Sequence, residues 1–285
     1  MRLCRFQTER NEAHPGLVID ENTVLDLAAA NIDRLETLLE NDNLDQQLVE
    51  FSKSNLPRLP LEEMRLLTPV ERQEVWAAGV TYLRSKKARK AESDFAAIAY
   101  ENVYHALRPE LFFKSLPEKV SGPLEPVGIR KDTHWSVPEA ELALVINSRR
   151  RIVGYTLGND MSARRLEGEN LLYLPQAKIY DHSCAVGPCI TVGPDEAEVR
   201  TWKIHLDIKR KDEWLFKGAT ALDRLKRPFN VLVDYLTRSQ TFPHGVILLT
   251  GTGIVLPDNS ALQEGDIIKI CLDEIGTLEN PVAAV

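Results

Sequence analysis

The run Leu142-Ala143-Leu144-Val145-Ile146 is apolar at every position, and two glutamates, Glu139 and Glu141, stand at its head. The run is rich in strand formers and too short for a helix of ordinary length, so it reads as a strand. A strand that is apolar on both faces is usually covered on both faces. Side chains two apart on a strand share a face and lie roughly 6.5–7 Å apart along the chain. Glu139 and Glu141 thus share a face with Ala143 and Val145, and Leu142, Leu144 and Ile146 occupy the other. Two carboxylates at the mouth of a covered strand look into a cleft. Held away from water, they repel each other and cost desolvation energy unless a proton or a cation compensates.

A second strand is predicted over Ile152 to Asn159, after the turn Asn147-Ser148-Arg149-Arg150-Arg151. It ends in Asp160, before a helical stretch predicted over Ser162 to Glu169. A hairpin returns Asp160 to the side of the glutamates, where it offers a third carboxylate and leaves positions open for water and substrate. An oxygen-only set suits a hard ion, Mg²⁺ first, then Mn²⁺ or Ca²⁺. Taken alone, an E-x-E pair is more often a solvated strand end than a metal site.

The order of motifs adds to this reading. E-x-E is followed by GYTLGNDMSAR, by EGENLLYLPQAKIYD and by Gly187-Pro188. That series resembles the fumarylacetoacetate hydrolase family, and within it the branch of 2-keto-3-deoxy-arabinonate (sugar-acid) dehydratases. The resemblance spans about residues 76 to 280. It implies that Glu139, Glu141 and Asp160 hold a divalent metal and that Lys178 of the QAK motif works beside it. It also implies that Arg164 holds substrate or organises the carboxylates, and that Thr252, flanked by Gly251 and Gly253, meets the substrate. The Arg108-Pro109-Glu110-Leu111-Phe112-Phe113-Lys114 segment resembles the family's RPELFFK element, with Glu110 placed to position a water or act as a base; a salt bridge from Glu110 to Arg108 or Lys114 is the structural alternative.

This chain also departs from the family. Several members carry an acidic ligand and a histidine base just after the tyrosine that corresponds to Tyr82, and here Leu83, Arg84 and Ser85 stand there. The histidine used by the diketone-cleaving hydrolases is therefore missing. Arg84 or Arg89 offers a guanidinium for a substrate carboxylate instead, and Ser85 falls in the same pocket wall. Arg165 and Leu171 replace an aspartate and a proline more usual in the 164–174 loop.

Many short strands and few helices predict a predominantly β (α+β) architecture, which the resemblance sharpens to a mixed β-sandwich roll with a small N-terminal α/β cap domain. The expected division is residues 1–67 and 68–285. In the first unit, helices are predicted from Ala28 to Glu40 and from Leu44 to Phe51, with Asn55 to Pro60 as a linker. Later strands are predicted at Glu74–Val80, Lys203–Lys209, Glu213–Lys217, Gly245–Leu249 and Asp266–Leu272, with a helix over Phe229–Ser239.

No apolar stretch approaches the roughly 20 residues of a membrane span, and the four cysteines show neither C-x-x-C spacing nor scaffold density. A reduced, cytoplasmic enzyme is expected. The net charge of −7 argues against general nucleic-acid binding. His182, His205 and His244 have no metal-ligand spacing.

The expected activity is a metal-dependent dehydratase of a 2-keto-3-deoxy sugar acid, acting through a metal-stabilised enolate and giving a 2-oxo semialdehyde acid. Lys178 is the first candidate for the C3 base and Glu110 the second. The alternatives are a hydrolase of acylpyruvates or 2,4-diketo acids, an enol–keto isomerase or decarboxylase, and a catalytically silent metal-binding protein. The partner is a small anionic 2-keto acid, and the family resemblance implies a homodimer or higher homo-oligomer.

Overall fold

The computed structural model describes residues 1–83, 94–257 and 260–285. Arg84, Ser85 and Arg89, expected to meet the substrate, lie outside the described residues. Two β-sheets carry the fold. The larger runs, in spatial order, through Arg58–Pro60, Thr23–Asp26, Ala13–Val18, Arg2–Gln7, Cys184–Thr191, Ile152–Asp160, Ala140–Ile146, Val246–Leu249, Glu74–Gly79 and Glu110–Ser115. The smaller runs through Glu213–Ala221, Lys203–Arg210, Ile267–Leu272, Gly276–Ala284 and Val127–Ile129.

The strand Ala140–Ile146 lies inside the larger sheet, buried along its whole length and paired antiparallel on both sides. Its two faces feed two cores. Leu142, Leu144 and Ile146 pack in the layer between the sheets, with Leu206, Ile208, Ile268 and Ile270 of the smaller sheet. Ala143 and Val145 face the other way, among Leu17, Leu25, Leu35 and Leu48 of the N-terminal segment. Each large aliphatic side chain so buried contributes about 1.5–3 kcal/mol. Lys203–Arg210 shows the half-covered pattern, with Ile204, Leu206 and Ile208 inward and Lys203 and His205 outward.

Several local expectations need correcting. The helix expected from Ala28 to Glu40 is two pieces, a turn at Leu27–Ala30 and a helix at Leu35–Leu39. Asp26 caps the first piece at the Ala28 N–H, and Asn31 ends it with a left-handed φ of 59°. The expected linker contains the strand Arg58–Pro60, which pairs with Thr23–Leu25. Ser162–Ala163 is extended and pairs with Ser136–Val137, so helix starts only at Arg164. The chain's last strand, Gly276–Ala284, has no counterpart among the expected strands.

The strand Arg2–Gln7 pairs with Cys184–Thr191 on one side, and its end pairs with Arg65–Leu67. No helix among the described residues is long and apolar enough to cross a membrane.

Candidate metal centre

The hairpin register assembles the acidic cluster. Ala140 pairs with Asn159 and Glu141 with Gly158, and the Asp160 N–H donates to the Glu139 carbonyl at 3.0 Å. Asp160, the last residue of its strand, is thereby set beside the first residues of the other. One carboxylate oxygen from each of Glu139, Glu141 and Asp160 lies within 4.8 Å of the others, and all three residues are buried. Opposite them, the short helix Leu174–Lys178 delivers its last residue inward. Lys178 Nζ donates to Glu139 Oε2 at 2.7 Å, Asp160 Oδ2 at 2.7 Å and Ser162 Oγ at 2.5 Å.

A second lysine stands behind the first. Lys114, fully buried at the end of the edge strand Glu110–Ser115, forms an ion pair with Asp160 Oδ1 at 2.6 Å. It also donates to the Met161 carbonyl at 2.9 Å and to the Lys178 carbonyl. It fixes a carboxylate and the end of the Lys178 helix with one ammonium group. Sequence reasoning missed it, although a signal was there. A lysine closing the apolar run Leu-Phe-Phe must be paired if the strand is covered, because lysines are almost never fully buried otherwise.

Glu110, Glu139, Glu141, Asp160, Glu167, Lys178 and Thr252 line one narrow cavity. Gly79 leaves room for Glu110: a Cβ there would collide with the Glu110 carboxylate. Gly251, at φ +90°, donates its N–H to Glu141 Oε2 at 2.5 Å, and a Cβ at that position would strike the Thr81 hydroxyl. That hydroxyl holds the turn by donating to the Thr250 carbonyl at 2.7 Å. The Thr252 hydroxyl also accepts the Ile254 N–H at 3.2 Å. Arg164 pairs with Glu167 Oε2 at 2.9 Å and lies 3.5 Å from Glu139 Oε1. It reaches the carboxylates as the first residue of the helix Arg164–Glu169. Glu167 is a cavity wall.

The electrostatics are those of an under-compensated anionic site. Burial pushes the Glu141 carboxyl well above its ordinary value, and the charges of Asp160 and Glu139 push it further. Burial acts on Asp160 in the same direction, but Lys114 and Lys178 outweigh it and the carboxyl is held below its ordinary value. Among the described residues of the cluster, five carboxylates (Glu110, Glu139, Glu141, Asp160, Glu167) face three cations (Lys114, Lys178, Arg164). Fully ionised, they leave two negative charges. Three buried oxygen donors with that excess fit a hard divalent cation.

The profile of the fumarylacetoacetate (FAA) hydrolase C-terminal domain matches residues 74–283. The chain is 45% identical over 217 residues to a probable 2-keto-3-deoxyxylonate dehydratase of Haloferax volcanii, covering 76% of this chain and 74% of the relative. It is 36% identical over 271 residues to the 2-dehydro-3-deoxy-D-arabinonate dehydratase of Saccharolobus solfataricus, covering 93% and 91%. A solved structure of 2-keto-3-deoxy-D-arabinonate dehydratase complexed with magnesium and 2,5-dioxopentanoate superposes with a TM-score of 0.84 at 32% identity, covering 100% of this chain and 99% of that one.

Proposed function

The chain belongs to the fumarylacetoacetate hydrolase family, and from that premise we propose that it is a Mg²⁺-dependent dehydratase of a 2-keto-3-deoxy sugar acid such as 2-keto-3-deoxy-arabinonate or its xylonate counterpart. The observation that carries this reading is the convergence of Glu139, Glu141 and Asp160 on one buried point with Lys178 bridging two of them. It is supported by the two dehydratase relatives and by the magnesium-bound structure. Mn²⁺ or Ca²⁺ satisfies the same donor set.

Glu139, Glu141 and Asp160 would hold the cation. Once bound, it supplies Lewis acidity toward the C1 carboxylate and 2-oxo oxygen, favouring loss of a C3 proton. The protein must then accept that proton and return one to the departing hydroxyl. Lys178 Nζ already directs its N–H bonds at Glu139, Asp160 and Ser162, so we assign it to holding the carboxylates in place. We assign the C3 base to Glu110, which lines the same cavity. Its protonated carboxyl then delivers the proton to the C4 hydroxyl, which leaves as water. For a pentonate, a proton shift from C5 to C3 turns the resulting 2-oxo-3-ene alcohol into a 4,5-enol, and transfer of the enol O–H proton to C4 gives the 2,5-dioxo acid, so atoms balance with loss of one water. Arg164 is placed to steady Glu139, and Thr252 to meet substrate at the cavity wall. Homodimer assembly and a cytoplasmic location belong to the same proposal.

The test is mass spectrometry of 2-keto-3-deoxy-pentonates incubated with protein and Mg²⁺, beside Glu141→Gln, Lys178→Ala and a chelator. Loss of one water, abolished in all three controls, is the expected result. Pyruvate released from 2,4-diketo acids, with no water lost from the pentonates, would replace the dehydratase with a hydrolase.

A further inference from the structure

Cys4 and Cys189 face each other across two paired strands. Cys4 lies in Arg2–Gln7 and Cys189 in Cys184–Thr191, and the antiparallel register sets them directly opposite one another. Both are free thiols buried in a small apolar cluster with Phe6, Val18 and Val24. Residues directly opposite on antiparallel strands have Cα atoms about 4.5 or 5.5 Å apart, and both spacings fall inside the range a disulfide spans. The other flank of Cys4 is Gly16, the only residue type that fits there, since a Cβ would press on Cys4 Sγ and Val24. The space around the sulfur is therefore shaped by a side-chain-free neighbour on one side and a second sulfur on the other.

We infer that Cys4 and Cys189 form a dithiol modification site that a peroxide closes to an intramolecular disulfide, stapling the N-terminal strand to the strand that begins beside Asp160. The hydrogen bond between the two thiols holds Cys189 below the ordinary thiol value and raises Cys4, which makes Cys189 the attacking group. Arg2 favours the thiolate at both sulfurs. In the first step the Cys189 thiolate attacks one oxygen of hydrogen peroxide, the O–O bond breaks, and water and a Cys189 sulfenic acid result. In the second, the Cys4 sulfur attacks that sulfenic sulfur and the S–O bond breaks, releasing a second water. Two thiols and one peroxide thus become one disulfide and two waters. The bond joins strands that are already in register, so the carboxylate cluster does not have to move.

The staple closes a loop of about 185 residues, for which chain-entropy reasoning predicts a rise in Tm of about 9 °C in a protein this size. The experiment exposes the full-length, Mg²⁺-loaded protein to hydrogen peroxide, alkylates remaining thiols after denaturation, and maps the peptides by mass spectrometry. The expected result is a Cys4–Cys189 bridge lacking two hydrogens and reversed by dithiothreitol, the rise in Tm, and turnover within about twofold of the reduced protein. Dimedone should label Cys189 in the Cys4→Ser variant and leave Cys4 unlabelled in Cys189→Ser. Both thiols still alkylating at doses that oxidise Cys271 would overturn the proposal. So would Cys189 passing to sulfinic acid without a bridge, or a bridge that leaves Tm unchanged.

Discussion

Replacing Lys114 by methionine tests the least exposed part of the site. The substitution keeps the unbranched chain and removes the ammonium. Asp160 then loses its 2.6 Å ion pair, and the carbonyls of Met161 and Lys178 lose their buried donor. Breaking a buried pair by deleting one partner costs about 3–5 kcal/mol. Lys178 still reaches the other oxygen of Asp160, which places the expected loss near the lower end, about 3 kcal/mol. At about 2.1 cal/mol/K per residue, a chain of 285 residues has an unfolding entropy of about 0.6 kcal/mol/K. The Tm should therefore fall by about 5 °C. The loss should also depend on pH. Asp160 is held below its ordinary value of 3.8 in the fold, so its paired charge stabilises the protein above that pH and ceases to do so as pH falls through the lowered value. The deficit of Lys114→Met should be full at neutral pH and shrink in acid. Calorimetry with and without Mg²⁺ measures it, and the Mg²⁺-induced rise should be larger in the variant, whose cluster carries one more unbalanced negative charge. A neutral-pH change below about 2 °C would refute the claim that Lys114 carries the charge of Asp160.

Glu141→Gln removes a donor oxygen and its charge, so it should erase the Mg²⁺-induced rise in Tm and reduce kcat by at least about 10³-fold, as read by a melt and a semialdehyde assay. Glu110→Gln should lower kcat by about 10²–10⁴-fold while leaving the Mg²⁺ shift in place, the pattern of a lost base. Gly79→Ala should produce a similar fall in kcat by displacing the Glu110 carboxylate, checked by steady-state kinetics beside an unchanged circular dichroism spectrum. Glu141, raised above its ordinary value of 4.5, binds a proton in the fold that it would release when unfolded. Metal-free stability should therefore fall as pH rises through that window. Protons and cations compete for the same carboxylate, so the Mg²⁺-induced rise should grow with pH, as a pH series of melts in chelator and in Mg²⁺ will report.

What the sequence made legible was whatever is encoded within a few residues. The strand Ala140–Ile146, its split between two apolar layers and its hairpin with Ile152–Asp160 follow from side-chain alternation, and that hairpin alone brings Asp160 to the glutamates. Helix boundaries were less legible where one residue decides them. Asn31 breaks an otherwise helical spacing of leucines through its own backbone angle, which periodicity does not register. The strand Gly276–Ala284 escaped because its partners, Ile267–Leu272 and the distant Val127–Ile129, are set by topology and not by its own pattern. Lys114 escaped for the same reason. Its contacts, Asp160, Met161 and Lys178, come from other elements, and only a fold that covers the end of its strand obliges that lysine to find them.

The placement of that lysine also explains how the cluster can be both buried and reactive. Carboxylates enclosed in a sandwich core oppose folding unless something compensates them. Lys114 and Lys178 take opposite oxygens of Asp160, which keeps that carboxylate ionised and oriented. Among the described residues Glu141 receives no such partner at contact distance beyond the Gly251 N–H, and burial, with the charges of Asp160 and Glu139 behind it, drives its carboxyl upward. The stabilising groups therefore act on one side of the cluster and leave the other side electrostatically hungry. A third lysine beside Glu141 would make the apo protein more stable, and it would remove the excess negative charge that draws a divalent cation to this point.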